Sequence, residues 1–188
     1  MSKKFKSSPP TQLLLQSKIQ LPFEFKTVDI LGIPFAYRQV NEDLALMRII
    51  FQNEEYLLPL QNFQPRLILD CGANIGCSAV YFNIKYPHAK IYAVEPQEDN
   101  FALLNYNAFP RKNIHAIKSA VWDKETFIRV EDRGFETTED DPEAFKTVTI
   151  SKILSESGFD EIDLLKIDIE GAEKEVSVRR TSTSGFLK

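Results

Sequence analysis

Cysteine is scarce: Cys71 and Cys77 are the only two in a chain of 188 residues. Two thiols cannot build the disulfide-dense scaffold of a small secreted protein, so a reducing, cytoplasmic setting is expected. Histidine is equally scarce. His88 follows Pro87 and His115 falls in an apolar run. Neither stands at metal-ligand spacing from the cysteines, so no metal site is expected. There is no excess of basic charge. Twenty-three Lys and Arg face twenty-seven Asp and Glu, a net charge of −4, which argues against a main task of gripping nucleic acid. No apolar run approaches the roughly eighteen residues that a bilayer span needs. The basic residues 1–6 are followed by Ser7-Ser8-Pro9-Pro10 and then only a leucine cluster at 13–15, too short for the core of a secretion signal. What is present, 43% apolar and 27% charged residues, is the balance of a globular domain with a real core.

Residues 1–20 mix charge, serine and two prolines and are expected to form a flexible N-terminal segment. Residues 21–64 carry short apolar stretches and are expected to pack as an appendage on a main domain. Within them, Ile33-Pro34-Phe35-Ala36-Tyr37 reads as a strand confined to an edge by Pro34. Residues 44–51 read as a short helix with Asn41 as its N-cap. The main domain is expected over residues 65–176. It opens with the apolar run Leu67-Ile68-Leu69, a buried strand ending in Asp70, and a turn of small residues to Gly76. A helix follows with Ile75, Ala79 and Phe82 on one face, stopping before Pro87. Residues 90–94 form a second strand ending in Glu95-Pro96, and Phe101, Leu104 and Ala108 share a face of a second helix. Residues 113–120 read as a third strand and 127–130 as an added one. Residues 131–143 hold seven acids and one arginine without periodicity and read as a mobile surface loop. Ile150, Ile153 and Leu154 have helical spacing, with Gly158 placed to end that helix. Residues 162–167 form a last strand ending at Asp168. This alternation predicts an α/β fold with a mostly parallel sheet and right-handed crossovers.

In such a sheet, ligands sit beyond the carboxyl ends of the strands. Asp70, Glu95 and Asp168 occupy three of those ends. Gly72 permits a tight turn, and Gly76 allows close approach of the helix start to a strand or ligand. The helix start offers free N–H groups to an anion. Glu95 follows Gly76 by nineteen residues, where a carboxylate can accept the hydroxyls of a ribose. An adenosine-containing ligand is therefore expected. The dinucleotide fingerprint asks for glycine at its first, third and sixth positions. Here those positions are Gly72, Asn74 and Cys77, so a pyrophosphate fits badly. A P-loop is excluded because no Gly-Lys-Ser/Thr follows. S-adenosylmethionine, which carries carboxylate, ammonium and sulfonium but no phosphate, fits better. Asp70 suits its ammonium, directly or through water. Each carboxylate also has a purely structural reading. Glu95, Asp168, Glu170 and Glu173 can all act as acids favoured at a helix start.

Asp70-Cys-Gly-Ala-Asn-Ile-Gly76, Val94-Glu95-Pro96, Ala120-Val121-Trp122-Asp123 and Lys166-Ile-Asp168-Ile-Glu170-Gly171-Ala-Glu173 resemble, in order and spacing, the signature series of the FkbM-type S-adenosylmethionine-dependent methyltransferases. Glu55-Tyr56-Leu57-Leu58-Pro59 resembles the lead-in of that family. The resemblance covers roughly residues 50–176. It implies a Rossmann-like methyltransferase fold, S-adenosylmethionine as donor, and transfer to a hydroxyl oxygen of a small molecule, sugar or glycan. Carried over by residue, Asp70, Gly72, Asn74 and Gly76 would hold the methionine portion, with Ala73 in the same turn. Glu95 would hold the ribose. Ser119, Ala120 and Val121 would flank the adenine. Asp168 would face the donor methyl and the acceptor, with Glu170 as a second catalytic candidate. Asp168 could take the acceptor proton, orient the hydroxyl, or help bind a divalent cation. Lys166 is expected to point away or to pair with an acid.

A complete fold of this class places further strands beside the Asp168 strand. Residues 177–188 are polar and lack strand pattern, so the domain is expected to be truncated, with residues 164–167 as an exposed apolar edge open to self-association. Two other functions stay open. One is a non-catalytic fragment that binds S-adenosylmethionine, and the other is a nicotinamide or nucleotide binder on a similar sheet.

Overall fold

The computed structural model describes residues 16, 18–131, 134–138, 141, 143–169 and 186–187. In chain order the first strands are β1 (Lys26–Ile30) and β2 (Ile33–Tyr37), followed by helix α1 (Asn41–Met47) and a π-helical turn, Arg48–Gln52. Next come β3 (Leu67–Cys71), α2 (Cys77–Lys85), β4 (Lys90–Val94), α3 (Glu98–Ala108), β5 (Ile114–Ile117) and β6 (Ala120–Val121). The last are β7 (Phe127–Glu131), β8 (Gly134–Thr138), β9 (Phe145–Val148), α4 (Ile150–Ser157), β10 (Leu164–Ile167) and β11 (Phe186–Leu187).

A five-stranded sheet of order β11-β10-β3-β4-β5 carries the fold. Every pairing in it is parallel. The α/β fold with a mostly parallel sheet is therefore present. Each residue of β3 is buried, as expected of a strand covered on both faces. The period of two then divides the core. Ile68, Ile91, Ala93 and Leu164 pack with Ala79, Val80, Phe82, Leu103 and Leu104. On the opposite face Leu69, Cys71, Val94 and Leu165 pack with Val121, Val148 and Ile153. The cost of burying the β3 backbone is met by the ladders on either side.

β1 and β2 form a separate antiparallel pair, tied to α3 and the turn after β3 by buried amides: Gln16 Nε2 donates to the carbonyls of Pro34 at 3.3 Å and Tyr106 at 3.0 Å. Asn107 Oδ1 accepts the Ala36 N–H at 2.6 Å, and its Nδ2 donates to the carbonyls of Ala36 at 3.0 Å and Ile75 at 2.8 Å. The Asn107 side chain of α3 thus ties β2 to the turn after β3.

Several expectations need correction. The helix near residue 44 starts earlier: Val40 is its N-cap and Asn41 its first helical residue. The apolar run at 113–120 is two strands, because β5 stays in the main sheet while β6 leaves to pair with β9. The acidic stretch expected to be a mobile loop contains β8, antiparallel to β7 along its length. Arg129 there faces Glu136 and Asp141 at 3.4 and 3.0 Å, so cross-strand charge stands in for the missing apolar alternation. β1 and β9 were not foreseen. The edge expected to be exposed at residues 164–167 has neighbours on both sides, β3 and β11. β11 also gives strand to a segment expected to have none. Residues 177–185 lie outside the described residues.

Candidate functional site

The turn after β3 folds over the end of β4: the N–H groups of Gly72 and Ala73 both donate to the Val94 carbonyl at 3.0 Å. Gly72 has φ +77°, and a Cβ there would stand 1.9 Å from the carbonyl oxygen of Asp168. Asp168 in turn donates its N–H to the Cys71 carbonyl at 3.0 Å. The missing side chain therefore lets the ends of β3 and β10 close together. Asn74 also has positive φ, +49°, and its Oδ1 accepts the next N–H, that of Ile75, at 2.8 Å, the local bond that makes asparagine tolerant of this conformation. Gly76, at φ +93°, precedes α2, and a Cβ there would meet Leu104 Cδ1 at 3.0 Å. The close approach that it permits is to α3.

Beyond these strand ends lies a cavity of about 320 Å³ lined by Gly72, Ala73, Asn74, Glu95, Ser119, Ala120, Val121, Lys166 and Asp168, among others. Asp70 and Gly76 are not on its wall. Glu95 is 5% exposed. Its Oε2 accepts the Asn74 N–H at 2.9 Å and its Oε1 the Gln97 N–H at 3.0 Å. Burial raises the pKa of this carboxyl above the ordinary range, opposed by those two N–H groups and by the side-chain amide of Asn100.

Asp70 sits fully buried beneath the turn. Its Oδ2 accepts from Ser78 Oγ at 2.6 Å, and its Oδ1 stands 2.9 Å from Lys166 Nζ as an ion pair without a directed hydrogen bond. Lys166 is 2% exposed and donates to the Gly72 carbonyl at 2.7 Å. Its Nζ is also 3.9 Å from Asp168 Oδ2 and 5.8 Å from the centre of the Tyr56 ring. Lys166 thus pairs with an acid, as one of its two expected placements had it, and that pairing joins the turn to the end of β10. The Asp168 side chain is 56% exposed. The Tyr56 hydroxyl donates to its Oδ2 at 3.4 Å. Burial first, then the charge of Asp168, pushes the Tyr56 pKa up, which keeps the phenol a proton donor.

The remaining wall comes from two directions that the motifs do not cover. Leu46, Ile50 and Tyr56 reach in from the segment before β3, and Ile128 and Phe145 from the β7–β9 sheet. Tyr56 falls in the lead-in already noted, but nothing in the sequence shows its contact with Asp168. Asn100 also lines the cavity and was not singled out. Ser119 is held at the rim by donating to the Lys146 carbonyl at 2.7 Å. Cys71 and Cys77 are buried free thiols with pKa values pushed up by burial. His115 stacks on Tyr92 at 5.1 Å. Among the described residues no group of His, Cys, Asp and Glu could hold a metal ion, and no helix is long and apolar enough to cross a membrane. Glu170 and Glu173 lie outside the described residues.

A parallel sheet with a glycine turn after one strand and a buried carboxylate ending the next is an α/β architecture with its cavity at the strand ends. The family profile of the Methyltransferase FkbM domain matches residues 70–176, more than half of the chain, and the chain belongs to that family. Methyltransferase sdnD of Sordaria araneosa is 29% identical over a 150-residue alignment, with coverage of 58% of this chain and 58% of that protein. The chain thus spans little more than half the length of that curated relative. Among solved structures, the methyltransferase FkbM of Methylobacillus flagellatus KT is similar with a TM-score of 0.45 and 20% identity, covering 70% of this chain and 32% of its own. Fibrillarin of Aeropyrum pernix, solved with natively bound S-adenosyl-L-methionine, gives a TM-score of 0.41 and 16% identity, covering 85% of this chain and 56% of its own.

Proposed function

We propose that this cleft binds S-adenosylmethionine and that the chain transfers the methyl group to a hydroxyl oxygen of a small molecule, sugar or glycan. The observation that carries the reading is Glu95: a buried carboxylate on the cavity wall, fixed by the N–H groups of Asn74 and Gln97. Such a group can receive a ribose without first paying for its own ordering. The charges of the cleft also fit the donor. Lys166 is taken up by Asp70, which leaves Glu95 and Asp168 facing the cavity. Among the described residues of the site, three carboxylates, Asp70, Glu95 and Asp168, against the one cation of Lys166 leave a net negative charge, which favours a sulfonium and disfavours a pyrophosphate.

When bound, the donor supplies a methyl group already activated on sulfur, so the protein's share is alignment and proton handling. Ser119, Ala120 and Val121 would flank the adenine, and Gly72, Ala73 and Asn74 would cradle the methionine end. Asp70 would act from beneath, through Lys166, rather than touch the ammonium. Asp168 would take or relay the acceptor proton, oriented by the hydroxyl of Tyr56. Glu170 remains the second catalytic candidate. Leu46 and Ile50 would keep water from that end. The division into an appendage over residues 21–64 and a cofactor domain over 65–176 is part of the same reading, because the appendage supplies this wall. The two free thiols support a reducing compartment.

Titration calorimetry with S-adenosylhomocysteine and a methyl-transfer assay on a panel of hydroxyl compounds test the proposal. Glu95→Gln is expected to lose about tenfold in affinity. Asp168→Asn is expected to bind within about twofold of the parent and to lose about a hundredfold or more in turnover. Preference for NAD over S-adenosylhomocysteine, or full turnover in Asp168→Asn, overturns it.

A further inference from the structure

We infer that Arg38 is a positioning residue for ribose recognition: locked on Asp43, it turns the side-chain amide of Asn100 so that the donor end of that amide faces Glu95. The inference rests on the proposal that Glu95 receives a ribose.

Arg38 lies just past β2, in the appendage. Its Nε and Nη2 donate to Asp43 Oδ2 and Oδ1 at 3.0 and 2.8 Å, and its backbone N–H donates to Oδ2 at 2.7 Å. Asp43 is 1% exposed. A two-pronged pair of this kind fixes the plane of the guanidinium. The same Nη2 donates to Asn100 Oδ1 at 2.7 Å. Asn100 sits in the first turn of α3 and lines the cavity beside Glu95.

An amide has one accepting end and one donating end. With its oxygen held by Arg38, Asn100 has only its NH2 to offer the cavity wall that it shares with Glu95, and that donor favours the ionised form of the carboxylate. Turned the other way, it would set a carbonyl oxygen against a carboxylate, and the two would repel. Nothing about Asn100 alone selects the productive orientation. Arg38 does, from 62 positions away in the chain. The appendage thereby reaches the cleft through a polar chain, in addition to the apolar wall that it supplies.

The test compares S-adenosylhomocysteine with its 2′,3′-dideoxyribose analogue by calorimetry. The unaltered protein is expected to prefer the ligand that keeps both hydroxyls. In Arg38→Met the affinity for S-adenosylhomocysteine is expected to fall about tenfold while that for the dideoxy analogue barely moves. Arg38→Lys, which retains a donor, recovers part of the preference. Asn100→Leu spares the Arg38–Asp43 pair and covers the case in which Arg38→Met folds poorly; it is expected to lose the preference as well. Equal weakening of both ligands in Arg38→Met and Asn100→Leu would mean a general packing role and overturn the inference, as would an intact preference in both. If the unaltered protein shows no preference, or binds neither ligand, the ribose reading itself falls and the inference falls with it.

Discussion

Glu95 lives between opposing influences. Burial disfavours its charge, and the N–H groups of Asn74 and Gln97 favour it. The net effect in the free protein is a raised pKa, so the group makes an unfavourable contribution to stability above that pKa, relieved as pH falls through it. Ligand hydroxyls donate to the ionised form. Affinity for S-adenosylhomocysteine is therefore expected to be flat at high pH and to fall as pH drops through the raised pKa, by up to about tenfold per pH unit. Calorimetry carried from pH 8 down to the ordinary carboxyl value of 4.5 checks this, and the slope is expected to vanish in Glu95→Gln. Lys166 gives a second prediction. It and Asp70 are 2% and 0% exposed, so Lys166→Met leaves a carboxylate buried without its cation and is expected to cost about 3–5 kcal/mol in urea unfolding. Pairing it with Asp70→Leu is expected to recover much of that loss, because the orphan charge is gone. The two residues also mark the limit of the motifs. Asp70 and Glu95 both end strands and both read as ligand contacts, yet only Glu95 reaches the cavity. Which of two acids faces outward depends on a lysine contributed from 96 positions further on, and strand pattern carries no information about that partner.

At the scale of elements, the turn after β3 is the part most closely determined by chemistry. Gly72→Ala would place a methyl group against the carbonyl of Asp168 while holding a left-handed φ. It is expected to cost about 3 kcal/mol or more in thermal unfolding. The same substitution at Gly76 shares the left-handed φ, but its tightest contact would be the flexible Leu104 Cδ1 at 3.0 Å, and it is expected to cost less. β3, α2, β4 and α3 were legible because buried parallel strands and amphipathic helices alternate with clear punctuation. α4 was legible too: its apolar spacing is regular and Gly158 closes it in a left-handed turn. β8 was not, since a hairpin strand held by its partner's backbone and by surface charge needs no apolar alternation. The break between β5 and β6 was hidden for the opposite reason. The run from Ile114 to Val121 is largely apolar on either side of Lys118-Ser119, where the partner strand changes, and a two-residue polar step does not by itself report a change of pairing.

For the whole molecule, ligand binding and folding share one free energy. S-adenosylhomocysteine at a hundred times its Kd adds about 2.7 kcal/mol to stability, which raises Tm by about 5–10 °C for a domain of this size. A thermal scan checks this, and a rise with NAD in place of S-adenosylhomocysteine overturns the donor assignment. The architecture of the parallel sheet was readable from the chain. The closure of the cleft was not. Leu46 and Ile50 precede the motifs, Tyr56 falls in the lead-in, and Ile128 and Phe145 lie between the third and fourth motifs, and only folding brings them together.

Cys71 and Cys77, the chain's only thiols, bracket that turn and are shielded from solvent with their acidity suppressed. An alkylating reagent can reach them only while the segment between them breathes. Their labelling half-life is thus an intrinsic clock for opening at the mouth of the sheet, readable by mass spectrometry without any added dye, and occupancy of the cleft should slow it.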